Sequence, residues 1–158
     1  GRVLGFDVYG ELAVRIPYSA YDVSVASSLG IQRSFGELSY WTVSAEAFVN
    51  STGTDDTSSY PALLVAGDFT PFYVGKYYAY AAVTRTHLFV DGISATLSGF
   101  VNFSDLSYLL RLSTGFSIAR LVPFKLGISF AGGGAGKEFT YFTGNNALSA
   151  DLRISFEF

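Results

Sequence analysis

Over its last eleven residues the chain alternates without a break. Leu148, Ala150, Leu152, Ile154, Phe156 and Phe158 take every second position, and Ser149, Asp151, Arg153, Ser155 and Glu157 stand between them. A β-strand points successive side chains to opposite faces, so such a segment has one wholly apolar face and one polar or charged face. Its length is about what a tilted strand needs to cross the hydrocarbon of a bilayer, roughly 9–11 residues. The beginning of the chain repeats the pattern: Leu4, Phe6, Val8, Gly10, Leu12, Val14 and Ile16 alternate with Gly5, Asp7, Tyr9, Glu11, Ala13 and Arg15. Three charges on one face fix the register, because a slip by one residue moves all of them to the apolar side. At a bilayer midplane each would cost roughly 2–4 kcal/mol.

The intervening sequence carries the same code. Candidate strands lie at 22–32, 41–49, 63–69, 72–90, 93–102, 110–118 and 124–130, which with the two ends makes nine. Pro17-Tyr18-Ser19 ends the first, since proline donates nothing to a ladder. Asp91-Gly92 is a two-residue hairpin signal. Polar or glycine-rich stretches at 50–61 and 132–146 are the two longest connections. Of the residues, 49% are apolar and 17% aromatic, while 15% are charged against about a quarter in ordinary soluble domains. No run approaches the roughly 20 consecutive apolar residues of a membrane helix, so the hydrophobicity is spread by alternation. A length of 158 residues suits one domain, 1–158. A formal charge of −3 with no basic run argues against nucleic acid. With no cysteine there is neither disulfide nor thiolate metal site, and Gly1 in place of Met reads as a processed or trimmed start.

The terminal Phe158, the aromatic Phe156 two residues before it, and Leu152 and Ile154 upstream resemble the closing strand of bacterial outer-membrane β-barrels of the small OmpA/OmpX-type group. The resemblance implies an all-β fold, a transmembrane antiparallel up-and-down β-barrel in the bacterial outer membrane. It also implies a last strand that zips to the first and is read by the assembly machinery through Leu152, Ile154, Phe156 and Phe158. Bacterial single-chain barrels have even strand numbers, with short turns on one side of the membrane and longer loops on the other. Two long loops on the same side demand an even number of strands between them, and five are read here. Eight strands is therefore the favoured total and ten the second.

The inward face of such a barrel would carry Asp7, Glu11, Arg15, Glu46, Arg111, Lys125, Asp151, Arg153 and Glu157, with Asp68 and Lys76 at less determined positions. Most of the rest of that face is Ser, Thr, Gly and Ala. Small residues and balanced charge suit a narrow lumen filled by side chains, and a charge-lined path for small solutes is the alternative. Tyr18, Trp41, Tyr77, Tyr78 and Phe124 are expected at the membrane interface. No catalytic site is expected. His87 is the only histidine, no G-x-S-x-G elbow is present, and Gly132–Lys137 fails the phosphate-loop pattern because Ala131 and Glu138 stand at its two ends. Neither cofactor nor metal is expected. Phe139, Tyr141 and Phe142 make the 132–146 loop an interfacial girdle or a contact patch. The expected function is a membrane scaffold or surface-contact protein, with the bilayer, the assembly machinery and an extracellular partner at loops 50–61 and 132–146. The alternatives are a narrow channel, the C-terminal portion of a larger porin or transporter barrel, and a soluble lipocalin-like carrier.

Overall fold

The alternating segments fold as strands, and neighbours in sequence are neighbours in space. The computed structural model describes residues 1–15, 24–36, 40–67, 74–89, 92–118 and 122–154, and in it nine antiparallel strands form one sheet in chain order. They are β1 (Arg2–Val3), β2 (Phe6–Arg15), β3 (Ser24–Phe35), β4 (Trp41–Asn50), β5 (Tyr77–Thr86), β6 (Ser94–Asn102), β7 (Ser107–Ile118), β8 (Val122–Gly132) and β9 (Ala147–Ile154). β1 folds back onto β2 through Leu4 and Gly5, both at positive φ (51° and 82°), which matches the twist of a tight hairpin. Eight long strands make the wall. Among the described residues β2 and β9 do not pair with each other, so the sheet is an open antiparallel meander.

Of the segment expected to be a strand at 63–69, residues 63–66 belong instead to a helix, α1 (Tyr60–Ala66), and 68 and 69 lie outside the described residues. Pro61 sits in its first turn, where a fixed φ and a missing N–H cost nothing. Gly67 ends it in the left-handed conformation (φ 79°), its N–H reaching the carbonyls of Leu63 and Leu64. The apolar run Leu63-Leu64-Val65-Ala66 is too short for periodicity to separate helix from strand, and the proline and glycine decide it. Four strands, β5 to β8, separate the connection after β4 from the one after β8, and both leave the sheet at the same end.

Two adjacent rows across the sheet define its faces. Asp7, Gln32, Ser44, Ala82, Ser98, Arg111, Ser129 and Ser149 are successive cross-strand partners, and every one is polar or small. One residue along, Val8, Ile31, Ala45, Ala81, Gly99, Leu110, Phe130 and Leu148 are partners, and every one is apolar or glycine. From β3 to β8 burial runs opposite to polarity, while on β2 and β9 the polar face is exposed as well. On the apolar face Leu12, Leu29 and Leu97 are 71%, 62% and 57% exposed, whereas Asn102, Ser107 and Tyr78 on the polar face are 0%, 0% and 2% exposed. The packed interior of this fold therefore lies against its polar face.

Candidate functional site

At the end where the long connections emerge, α1 and the 133–146 segment fold over the polar face and form a cap. Its centre is a buried hydrogen-bond network around two carboxylates. Glu138 Oε2 accepts from the Tyr78 hydroxyl (2.9 Å) and from Asn102 Nδ2 (2.7 Å). Asp105 Oδ2 accepts from the Tyr60 hydroxyl (3.0 Å) and from the Glu138 backbone N–H (2.7 Å). Asp105 Oδ1 accepts from the Ser107 N–H (2.8 Å) and hydroxyl (2.7 Å). The Tyr78 hydroxyl also accepts from the Gly75 N–H (2.5 Å), tying the chain before β5 into the same cluster. Among the described residues no buried side-chain nitrogen or oxygen lacks a partner. That matters because a single unsatisfied buried group costs roughly 1–3 kcal/mol.

Aromatic rings seal the cap. Phe100 meets Phe139 edge-on at 5.9 Å and Tyr78 at 5.6 Å, and Tyr60 meets Tyr141 at 6.2 Å. Burial, with the nearby Asp105 carboxylate adding to it, pushes the Tyr60 hydroxyl well above the ordinary tyrosine range. On the outside of the cap, Lys76 Nζ donates to Asp55 (3.1 Å), and that hydrogen bond holds the exposed Asp55 carboxyl below the usual carboxylate range.

Among the described residues, the charges read from the sequence as one lumen network make separate local contacts. Arg111 bridges Asp151 (2.7 Å) and donates to the Ser129 hydroxyl (2.9 Å), and a Cβ at Gly127 would stand 2.3 Å from the Arg111 guanidinium. Glycine at 127 is what lets that arginine lie flat across the strand. Asp7 faces Arg2 at 4.0 Å, with both side chains exposed. Glu46 accepts from the Tyr9 hydroxyl (3.3 Å) and shares a groove with Glu11 and Ser28. Lys125 lies beside Ser94, Thr96 and Ser113, directly opposite Arg153. Lys76 belongs to the cap rather than to the strand face. The Arg15 side chain, Asp68 and Glu157 lie outside the described residues. The cap covers one end of the polar side, and its network of Asn102, Asp105 and Glu138 was not read as one in the sequence.

On the apolar face, Trp41 and Phe124 mark the short-turn end of the strands, with Phe124 stacked on Phe116 at 5.2 Å. Tyr77 marks the cap end, as do Tyr108 and Phe130, in ring contact at 6.1 Å. Tyr78 was expected at the membrane interface, but it has the opposite parity and is buried in the cap network. Tyr18, Phe156 and Phe158 lie outside the described residues. Leu152 is exposed on the apolar face, and Ile154 pairs through its backbone with Phe124. His87 sits just beyond β5 at the short-turn end, exposed, with φ 56°.

Compared with models of protein families, with curated proteins and with solved structures, the chain matches none.

Proposed function

We propose that this chain is an integral β-barrel of the bacterial outer membrane, closed by β9 against β2, that serves as a membrane scaffold and holds its cap at the outer surface for contact with a partner. The inverted burial carries this reading. A soluble monomer seldom exposes an apolar patch beyond roughly 300–600 Å², whereas here the apolar face is continuous over eight strands of 8–12 residues. Acyl chains are the solvent that such a face suits, and strands of this length match the hydrocarbon thickness. A lipocalin-like carrier would need the reverse arrangement, with its apolar side chains gathered inside. The buried cap network favours a sealed lumen over a solute path, so the function is mechanical and recognitive rather than catalytic. Export through the assembly machinery, with the C-terminal strand as signal, rests on the sequence resemblance.

The lack of pairing between β2 and β9 among the described residues favours one second reading, a wall segment of a larger barrel. Refolding into lipid vesicles tests the first. The expected result is a protease-resistant, heat-modifiable species that gives no steady single-channel current. Steady current would replace the scaffold with a channel, and a chain that stays monodisperse in plain buffer would overturn the membrane reading.

A further inference from the structure

The apolar face carries charge at only two positions among the described strand residues, Arg33 on β3 and Arg85 on β5. Both stand at the short-turn end, and both lie on aromatic rings. The Arg33 guanidinium is 5.2 Å from the centre of the Phe6 ring, and that of Arg85 is 5.1 Å from the centre of the Trp41 ring. Trp41 is the cross-strand partner of both Phe35 and Arg85, so Phe6, Arg33, Phe35, Trp41 and Arg85 form one patch across four strands. The cap end of the same face has Tyr77, Tyr108 and Phe130 and no charge among the described residues.

We propose that this patch binds the headgroup phosphate of an anionic phospholipid in the leaflet at the short-turn end. The proposal rests on the membrane reading above. An arginine facing lipid is costly at midplane but costs only roughly 0–1 kcal/mol near the interface, which is where both stand. Stacking on a ring holds the guanidinium flat against the aromatic surface. A planar guanidinium can grip two phosphate oxygens at once, as an ammonium does not. The same end presents Lys125 and Arg153 on the polar face, which adds to the positive potential there, while Arg2 is offset by its partner Asp7. An anionic headgroup is thereby preferred over a zwitterionic one, and in one leaflet only.

The chain's single tryptophan is Trp41, so the patch carries its own reporter. The test folds the protein into phosphatidylcholine vesicles with a minor fraction of phosphatidylglycerol, brominated on the chains of one lipid or of the other. Brominated phosphatidylglycerol should quench Trp41 beyond its mole fraction, an enrichment of roughly five-fold or more. That excess should fall with added salt and vanish in the Arg33→Gln/Arg85→Gln variant. Quenching by the two lipids in simple proportion to their amounts, in the wild type at low salt, would overturn the headgroup site and leave the membrane reading intact. No quenching by either lipid would overturn the membrane reading itself. Should the double variant fail to insert, the salt series on the wild type decides alone.

Discussion

The consequence of placing a charge on this sheet depends on whether its position is odd or even within the strand. Leu12 and Ser28 lie on neighbouring strands, one on each face. Arginine in place of Leu12 puts a guanidinium on the apolar face near mid-band, at a cost of roughly 2–4 kcal/mol in a bilayer. Arginine in place of Ser28 enters a groove whose walls include Glu11, its direct partner, and Glu46, so a cation there meets two carboxylates. Leu12→Arg should therefore sharply lower the folding yield into vesicles, while Ser28→Arg stays near the wild type. Equal loss from both would mean that the faces are assigned the wrong way round. Residues of this kind are legible in a sequence because parity alone places them, as with Asp7, Glu11 and Asp151. Tyr78 was not legible. It adjoins Tyr77, either ring suits an interface, and its inward direction is fixed by Glu138, sixty positions away.

Elements divide in the same manner. The long strands could be read because each declares its own period, whereas α1 and the cap take their form from partners that the local pattern does not name. Asp105 looks like an ordinary turn residue, yet its carboxylate organises Tyr60, Ser107 and the backbone of Glu138. The cap's response to pH follows from Tyr60. Its hydroxyl is held protonated by burial and by the carboxylates around it, so its folded pKa is raised. A raised pKa contributes stability that is fully present below the ordinary tyrosine value, about 10, and is lost as the pH climbs beyond it. Proteolysis of the 133–146 segment in vesicle-folded protein should accordingly stay slow at neutral pH and accelerate above that value. Tyr60→Phe should weaken the cap by roughly 1 kcal/mol at neutral pH and blunt the alkaline acceleration. An unchanged alkaline response in that variant would show that Tyr60 does not latch the cap.

The seven long-strand registers confine how β9 can meet β2. Following successive partners from Asp7 across the sheet ends at Ser149, so closure must return from Ser149 to a point further along β2. Eight strands about 4.8 Å apart, rising about 3.3 Å per residue and tilted by roughly 35–45°, need a stagger of about eight to twelve residues. Only even values keep the polar face continuous. Twelve would set Arg153 directly opposite residue 15, also arginine, and like charges in that position repel. Eight sets Arg153 opposite Glu11 but needs the shallowest permitted tilt. A stagger of ten lies mid-range, sets Asp151 opposite residue 15 and Arg153 opposite Ala13, and aligns Val14 with Leu152 on the apolar side. The chain has no cysteine, so engineered pairs report cleanly. After refolding into vesicles and mild oxidation, the pair Ala13→Cys with Arg153→Cys should form a disulfide in high yield. Glu11→Cys with Arg153→Cys should form little, and dominance of that pair would move the stagger to eight. If neither pair closes, nor Arg15→Cys with Arg153→Cys for a stagger of twelve, while a Glu46→Cys/Tyr80→Cys control between the adjacent β4 and β5 does, then β2 and β9 are free edges and the chain belongs to a larger wall.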